Sequence, residues 1–460
     1  MMEYIDKAAR HLESRGIGAG QRVGLCAPNC LEAAITVLAC WKVGAVIVPL
    51  STRFPGERIP RLLEEMDCTM LVSYAEFTPP GCPVPVSAVG DVPVPHGDRL
   101  ENLRFDRLGA DLEQPGSIVL TSASTGPPKG VLHTMASHHF SALGSHECIP
   151  FAEGDGWLVS LPLYHIGGLS LLMRALLHGG ALVFPELNQP LAAALVAESV
   201  THVSFVPTQL QRCLADPHVV GALKRKKAVL VGGAPCPTSL VAACAALELP
   251  IYLTYGCSEM ASQIATATPD VAYAHPRSSG CVLPHREVRI AADGEILVRG
   301  ETLFAGYVTG GRVDPATDPE GWFHTADMGR FDSLGNLVVE GRKDTMFISG
   351  GENLHPEEIE NVLMGLAGVE QCVVVPVDDD EFGQRPVAFV KTRTGDADAI
   401  KATLAQSLER FKVPDRVYAW PSDQPVTSKV DRVGFAHLAA ELLRDGNRPE
   451  LGKDRLGDSD

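Results

Sequence analysis

The feature of this sequence that most restricts its fold is an alternation of strand and helix patterns over the first 75 or so residues. The short strand-like runs Arg22–Cys26 and Ala45–Pro49 are separated by a helical stretch, Asn29–Val43. Strands joined through helices favour parallel pairing, because a parallel crossover needs a long connection. The helices then cover both faces of the sheet. We therefore predict an α/β fold with a mainly parallel sheet.

The same alternation continues further along the chain. The Pro- and Gly-rich segment Phe77–Asp98 predicts an irregular connection. The other predicted helices are Tyr4–Ser14, Glu57–Met66, Ala136–Leu143, Ser170–His178, Leu191–Glu198, one opened by Pro207, and Ser239–Leu247. The other predicted strands are Met70–Ser73, Asp155–Ser160, Ala181–Phe184, His202–Val206, Val229–Val231 and Ile251–Thr254.

The pattern changes twice in the last 180 residues or so. After Arg277, short strands with glycine turns (Val288–Ile290, Glu295–Val298, Leu337–Glu340) predict a small antiparallel β unit. Beyond Gly341, the helices Pro356–Leu366 and Ala397–Leu408 and the strands Cys372–Val375 and Val387–Lys391 predict a separate α+β unit. We place the domain boundary near Asp344, which gives domains of residues 1–343 and 344–460, the latter mobile.

Charge and cysteine usage narrow the class of protein. The net charge of −17 argues against binding nucleic acid or acidic membrane surfaces. No stretch has the pattern of a signal peptide or a membrane span. The twelve cysteines are scattered and form no CxxC pair, as expected of reduced thiols in a cytoplasmic protein. A homo-oligomer is compatible with this composition.

The stretch Thr121–Val131 (TSASTGPPKGV) follows Ser117–Leu120, which has the character of a buried strand. Its small residues let the backbone approach a ligand, and its hydroxyls, N–H groups and Lys129 can bind anionic oxygens. Lys129 is followed by glycine rather than Ser or Thr, so this is not a standard P-loop. A phosphate-binding loop and a plain surface loop fit the composition equally well.

Three further stretches follow predicted strands and carry polar or small groups. His165 lies in LPLYHIGG, Gly232–Pro235 could pack against a flat ring, and Tyr255–Glu259 (YGCSE) combines an aromatic ring, a hydroxyl and a carboxylate suited to Mg²⁺. Taken singly, a structural histidine, a simple turn and a solvated loop explain them as well.

Three stretches in the last third of the chain complete the set. Thr325–Gly329 (TADMG) contains an aspartate, and Gly341–Asn353 (GRKDTMFISGGEN) combines charges with a Gly-Gly turn. Thr427–Arg432 (TSKVDR) places a lysine in a polar turn. Each alone also fits an ordinary exposed loop, so their order along the chain is the informative property.

In that order, the stretches resemble the motifs of the adenylate-forming enzymes, which include acyl-CoA synthetases, peptide-synthetase adenylation domains and luciferases. TSASTGPPKGV resembles the family's TSGSTGxPKGV, YGCSE resembles YGxTE, and TADMG resembles TGDxG. GRKDTMFISGGEN is similar to GRxDDxIxxGGEN, and VTSKVDR to the xTGKxxR segment of the catalytic lysine. The departures, Ala123, Ser258, Ala326 and Ser428, remove no charged position.

Within the family, four other stretches are most similar to the branch that ligates o-succinylbenzoate to coenzyme A in menaquinone synthesis. They are Ser160–Gly180, Val200–Leu214, ISGGENLHPEEIE and EFGQRPVAFV. The resemblance implies an AMP-forming acid–CoA ligase that uses ATP, Mg²⁺ and coenzyme A. A carboxylic acid would attack the α-phosphate of ATP, and the thiol of coenzyme A would then displace AMP.

The resemblance also implies a nucleotide site. The phosphates would contact Thr121, Ser122, Ser124, Thr125, Gly126 and Lys129. Adenine and the α-phosphate would contact Gly233, Ala234, Tyr255, Gly256 and Ser258. Asp327 would bind the ribose hydroxyls with help from Arg342, and Glu259 would bind Mg²⁺.

The remaining expected roles concern catalysis and the acid. Lys429 would bridge the carboxylate and the α-phosphate, and rotation about Asp344 would carry it there. For thioester formation, the residues that face the site would be Ser349, Gly350 and Gly351. Candidates for the acid pocket are His165, also a catalytic candidate, with Arg174, Thr208 and Gln209. A second carboxylate on the acid requires a polar or cationic contact, but Arg174 could equally be a structural residue on a helix.

Other functions remain open on the sequence. The chain could be another acyl- or aryl-CoA synthetase, or a free-standing adenylation enzyme of the same superfamily. A P-loop-like ATPase or nucleotide-binding regulator is a third reading, disfavoured by the absence of a GK[ST] sequence.

Overall fold

The computed structural model describes residues 1–94, 97–121, 129–186, 189–392, 396–422, 424, 430–445 and 451. Of the predicted site residues, Ser122, Ser124, Thr125, Gly126 and Lys429 lie outside these ranges. None of the helices in the described part of the chain combines the length and apolar character that crossing a bilayer requires.

Two eight-stranded sheets form the larger part of the molecule, and helices pack against them. The helices are α1 (Met2–Ser14), α2 (Leu31–Lys42), α3 (Arg58–Glu65), α4 (Met135–Cys148), α5 (Ile166–His178), α6 (Leu191–Leu195), α7 (Pro207–Cys213), α8 (Pro217–Lys224), α9 (Thr238–Ala246) and α10 (Pro269–Ala274). The strands are β1 (Arg22–Cys26), β2 (Val46–Pro49), β3 (Cys68–Ser73), β4 (Val86–Ala88), β5 (Arg99–Leu100), β6 (Pro115–Thr121), β7 (Lys129–Thr134), β8 (Gly156–Leu158), β9 (Ala181–Val183), β10 (His202–Phe205), β11 (Ala228–Val231), β12 (Ile251–Cys257), β13 (Ser262–Ala267) and β14 (Cys281–Val282).

Two smaller sheets follow along the chain. The strands after β14 are β15 (Glu287–Ile290), β16 (Glu295–Arg299), β17 (Gly306–Thr309), β18 (Arg312–Asp314), β19 (Phe323–Phe331) and β20 (Leu337–Arg342). The C-terminal part contains β21 (Phe347–Ser349), β22 (Glu352–Leu354), α11 (Pro356–Met364), β23 (Val369–Asp379), β24 (Gly383–Thr392), α12 (Ala397–Ser407), β25 (Arg416–Ala419) and α13 (Arg432–Asp445).

Strand order confirms the predicted mixed α/β fold. The first sheet runs β18-β17-β7-β6-β2-β1-β3-β4 and the second β14-β13-β12-β11-β10-β8-β9-β5. Their centres are parallel, as predicted, whereas β7, β17 and β18 in the first sheet and β13, β14 and β5 in the second are antiparallel. The order β15-β16-β19-β20 confirms the small antiparallel unit.

Several predicted segments were wrong in type or extent. The segment predicted as irregular contains β4, because Val86–Ala88 pairs in parallel with β3. The strand predicted to end at Thr254 runs on to Cys257, because β13 pairs with it antiparallel and extends its ladder. Helix α4 runs to Cys148 rather than Leu143 and buries Gly144 and Ser145 on the way.

Helix α5 begins at Ile166, four residues before the predicted start. Its first turn contains Gly167 and Gly168, which sequence propensity disfavours. A Cβ at Gly168 would lie 2.3 Å from the carbonyl oxygen of Pro162, so close backbone approach requires glycine there. This contact fixes where the segment containing His165 enters the helix.

One hydrophobic cluster of the larger part contains buried residues from both large sheets, such as Val119 and Leu182. Ten of the twelve residues of α2 are buried, and the indole N–H of Trp41 donates to the carbonyl of Gly116 at 3.0 Å. This bond ties α2 to the base of β6. A helix buried on nearly all sides anchors the strand that leads into Thr121.

Candidate active site

Four neighbouring strands of the second sheet end at the same edge. Strands β8, β10, β11 and β12 are parallel neighbours. Their carboxyl ends therefore lead to segments on one side of the sheet, where open α/β sheets bind ligands. These segments carry His165, Thr208 with Gln209, Gly233 with Ala234, and Ser258 with Glu259.

Asp327 joins three of the predicted residues. Its carboxylate accepts a hydrogen bond from the Tyr255 hydroxyl at 2.6 Å and one from Arg342 at 3.1 Å. Burial raises the pKa of Asp327, and the bonds from Tyr255 and Arg342 oppose that rise. Residue Ala326 before it has φ 58°, a left-handed conformation that matches the glycine of the resembled motif. The structure thus brings Tyr255, Asp327 and Arg342 together.

The predicted hinge residue is bound to the same arginine. Arg342 donates to both carboxylate oxygens of Asp344, each at 3.0 Å, and this pairing lowers the pKa of Asp344. The next residue, Lys343, forms salt bridges with Asp293 at 2.7 Å and Glu295 at 3.0 Å in the small β unit. Both residues before Asp344 are therefore fixed to the larger part of the molecule.

Glu259 has partners that the sequence did not reveal. Its carboxylate accepts a hydrogen bond from the hydroxyl of Tyr307 at 2.7 Å. The ammonium of Lys129 lies 4.8 Å from the centre of the same tyrosine ring. Lys129 is the first residue of β7 rather than part of a loop, so its position is set by sheet pairing.

His133 supports the backbone of Ser258. Its Nε2 donates to the Ser258 carbonyl at 2.6 Å, and its Nδ1 faces the Ser117 hydroxyl at 3.3 Å. That hydroxyl also lies 2.8 Å from His138, so a buried chain of polar groups runs behind the site. Burial lowers the pKa of His133 to about 4, which keeps its ring neutral at pH 7.

Two glycines of the predicted nucleotide site stand where no side chain fits. A Cβ at Gly256 would lie 1.9 Å from the carbonyl oxygen of Ser262, and one at Gly232 would lie 2.6 Å from the Thr254 side chain. Gly233 is exposed and has φ 78°. The close strand approach therefore explains Gly256 without a ligand, while Gly233 with Ala234 presents backbone at the sheet edge.

Arg174, an acid-pocket candidate, is a buried cation with incomplete bonding. It is 3% exposed, donates to Gln263 at 2.7 Å and lies over the Trp157 ring at 4.9 Å. Its Nε and Nη1 atoms have no hydrogen-bond partner among the described residues. Burial lowers its pKa to about 10.

A second buried guanidinium, Arg286, was not predicted. It is 6% exposed, and its Nε also lacks a partner among the described residues. Burial, and then repulsion from Arg174, lower its pKa to about 9. Neither arginine forms a salt bridge with an acidic group in the described part of the chain. Burying a positive charge without a salt bridge is costly, and incompletely bonded buried guanidinium groups favour an anionic ligand.

The other acid-pocket candidates differ in their surroundings. His165 is exposed next to Tyr164, and Thr208 is half-buried at the start of α7. The side-chain oxygen of Gln209 accepts from the backbone N–H of Val206 at 3.0 Å. This bond caps α7, so Gln209 has a structural role whatever it contacts.

On the predicted coenzyme A side, the residues form a hairpin. Gly350 and Gly351 have φ 62° and 88° in the turn between β21 and β22. Ser349 is fully buried, and its hydroxyl accepts from Arg385 at 3.2 Å. The turn is exposed, but the hydroxyl of Ser349 is committed to the interior of the C-terminal part.

Residues 1–308 match the AMP-binding enzyme family, and residues 358–429 match the AMP-binding enzyme C-terminal domain. The chain belongs to the AMP-binding enzyme family. It is 33% identical over 426 residues to the 2-succinylbenzoate–CoA ligase of Bacillus cereus, an alignment that covers 90% of this chain and 87% of that protein. The resemblance to adenylate-forming enzymes is thereby confirmed.

Solved structures agree with this membership. The o-succinylbenzoate CoA synthetase (MenE) of Bacillus subtilis with its acyl-adenylate intermediate OSB-AMP is 25% identical, with a TM-score of 0.83 over 94% of this chain and 92% of that chain. A variant of Escherichia coli MenE with bound OSB-AMS is 29% identical, with a TM-score of 0.77 over 95% and 91% of the two chains. The B. subtilis enzyme with ATP and magnesium is 26% identical, with a TM-score of 0.82 over 94% and 92%.

The buried neutral state of His133 predicts a loss of stability in acid. Between its unfolded pKa of 6.5 and its folded pKa of about 4, the unfolded chain binds a proton that the folded chain excludes. Stability therefore falls as pH falls through this window, by about 2 kcal/mol at pH 5 from this residue. His133→Gln keeps a donor for Ser258 but does not titrate. Urea unfolding followed by tryptophan fluorescence at pH 7 and pH 5 should show a smaller acid loss in the variant, and equal losses would contradict the assignment.

Proposed function

We propose that this protein ligates o-succinylbenzoate to coenzyme A through an acyl-adenylate, at the expense of ATP. The observation that carries the proposal is that Arg174 and Arg286 are both buried and have incompletely bonded guanidinium groups among the described residues, for which a dicarboxylic acid would supply counter-charge. The 33% identity to a 2-succinylbenzoate–CoA ligase over most of both chains supports the same acid. Its place would be menaquinone synthesis in the cytoplasm, in keeping with twelve free cysteines.

The nucleotide would lie along the edge where β11, β12 and β19 place their polar groups. Asp327 would accept hydrogen bonds from the ribose, and Arg342 would hold that carboxylate in orientation. Tyr255 and the Gly233–Ala234 backbone would flank adenine, with Ser258 near the α-phosphate. Thr121 and Lys129, with the segment 122–128 between them, would hold the β- and γ-phosphates.

The oxygen ligands available at the site fit a Mg²⁺ ion that binds together with ATP. Mg²⁺ is usually bound by one or two carboxylates together with phosphate oxygens and water, not by a full protein cage. Among the described residues, no group of three or more potential ligands could hold a metal by itself. Glu259 would supply the protein oxygen, and the bound ion would neutralise charge on the polyphosphate.

The first half-reaction brings two anions together, so positioning and charge stabilisation are the main demands on the protein. Lys429 would supply the positive charge between the attacking carboxylate and the α-phosphate. Arg174 would hold the distant carboxylate of the acid, which places the reacting one toward His165 and the sheet edge. Gln263 would orient Arg174 through their bond of 2.7 Å.

We further propose that the segment after Asp344 rotates as a unit between the two half-reactions. Arg342 and Lys343 are bonded to the larger part, whereas Thr345 donates to Glu357 of α11 at 3.0 Å. Among the described residues, the other polar bonds between the two parts include the Thr238 backbone N–H to Asn361 at 3.2 Å and the Ser239 hydroxyl to the Met364 carbonyl at 3.2 Å. A polar interface of this kind suits a hinge motion.

The reaction is tested by its products. With ATP, Mg²⁺, coenzyme A and o-succinylbenzoate, we expect AMP, pyrophosphate and o-succinylbenzoyl-CoA, measured by liquid chromatography and mass spectrometry. Benzoate and a fatty acid serve as comparison acids. AMP formation with another acid but not with o-succinylbenzoate would favour a different acyl- or aryl-CoA synthetase, and ADP with phosphate would exclude the adenylating reaction.

Replacing the proposed catalytic lysine should separate the half-reactions. Lys429→Ala should lower acid-dependent ATP–pyrophosphate exchange by roughly 10²–10³, the usual cost of losing one charge-stabilising donor. Thioester formation from preformed acyl-adenylate should remain near the wild-type rate, because that step would use the other orientation of the C-terminal part. Equal loss in both assays would argue against two catalytic orientations.

Replacing Arg174 should weaken binding of the acid but not binding of the nucleotide. Arg174→Gln removes a charged donor to the distant carboxylate, so KM for o-succinylbenzoate should rise about 10- to 100-fold. KM for ATP should stay the same. Lys226→Met is a matched control, because Lys226 is a buried cation of the same sheet region that donates to the Val200 carbonyl. An equal rise in both variants would mean that Arg174 is only structural.

A further inference from the structure

Tyr307 makes two contacts with groups of opposite charge in the proposed phosphate and metal region. Its hydroxyl donates to Oε1 of Glu259 at 2.7 Å, and its ring lies beneath the Lys129 ammonium at 4.8 Å. Lys129 and Glu259 come from different sheets, β7 in the first and the segment after β12 in the second. Tyr307 therefore joins the two sheets at the point where their charged groups converge.

Strand pairing explains how one side chain reaches both groups. Tyr307 lies opposite Val131 in the antiparallel pair β17·β7. Lys129 is two residues from Val131 and so points to the same face of β7, where it is the diagonal neighbour of Tyr307. A one-residue slip in this register would turn the tyrosine to the other face.

The segment before Tyr307 holds Glu259 a second time. The backbone N–H of Phe304 donates to the Glu259 carbonyl at 2.8 Å. The ring of Tyr307 packs edge-on against Phe304, with centroids 4.9 Å apart. Both the backbone and the carboxylate of Glu259 are thus fixed by residues 304–307.

We propose that Tyr307 is a positioning residue for magnesium–nucleotide binding, which commits Oε1 of Glu259 and leaves Oε2 to the metal. Among the described residues, no lysine, arginine or histidine forms a salt bridge with Glu259, so its charge is available to a cation. The Tyr307 ring holds the Lys129 ammonium beside that site through a cation–π contact. The proposal rests on the proposed ATP chemistry, but not on the identity of the acid.

The test measures binding without the acid or coenzyme A. Tyr307→Phe keeps the ring and its packing and removes only the hydroxyl. Isothermal titration of a non-hydrolysable ATP analogue at increasing Mg²⁺ should show a half-saturating Mg²⁺ concentration about tenfold higher than in the wild type, the effect of one bond to a charged group. Binding of the analogue in EDTA should be unchanged.

Two further variants distinguish positioning from packing. In a Glu259→Gln background, Tyr307→Phe should cause no additional loss, because the partner carboxylate is already gone. Tyr273→Phe is the matched control: it also removes a tyrosine hydroxyl bonded to the protein, because Tyr273, on α10, donates to the Leu249 carbonyl rather than to Glu259. It should leave the Mg²⁺ dependence at the wild-type value.

Three results would overturn the proposal. The first is a Mg²⁺ titration of Tyr307→Phe that overlays that of the wild type. The second is an equal loss of nucleotide-analogue affinity in EDTA. The third is a full additional loss of Mg²⁺ affinity when Tyr307→Phe is added to the Glu259→Gln background. Because only Mg²⁺ and the nucleotide analogue are present, failure of this test is distinct from failure to form o-succinylbenzoyl-CoA.

Discussion

The carboxylate of Asp327 is the interaction on which the arrangement of the site depends. It is bonded to Tyr255 at the end of one large sheet and to Arg342 at the end of the small β unit. Arg342 in turn holds Asp344, where the C-terminal part begins. A single buried acid therefore links one large sheet to the small β unit, and its partner Arg342 links that unit to Asp344. The bonds of Asp327 are charge-assisted or made in a partly dry environment where such bonds are strong.

Much of the fold could be predicted from the sequence because it depends on local patterns. Alternating apolar strands and helices specified the parallel centres of both large sheets, and glycine turns specified the antiparallel unit. The antiparallel edges could not be predicted in this way. Strand β12 continues through Tyr255 to Cys257 only because β13 pairs with it, and β4 forms only because β3 offers it an edge. Pairing between strands is a property of the assembled sheet, and it overrides local propensity.

The residues of the candidate site also divide into those that could be predicted from the sequence and those that could not. Tyr255, Asp327 and Arg342 were predicted through motif resemblance, and the structure places them in contact. Tyr307, His133 and Arg286 were missed, because each acts through a partner more than 20 residues away in the chain and none carries a motif that names its role. Gly256 shows the converse: its motif suggests a ligand contact, yet the approach of Ser262 already demands glycine. A single sequence does not reveal contacts between residues that are far apart along the chain.

The pairing of β17 with β7 also has a consequence for synthesis of the chain. Strand β7, which begins at Lys129, lies between β6 and β17 in the first sheet, and its partner β17 consists of residues 306–309. Until the ribosome has released that segment, β7 is an unpaired edge, and such edges invite pairing with other chains. The pairing that completes the strand beginning at Lys129 can therefore form only after residues 306–309 have been synthesised.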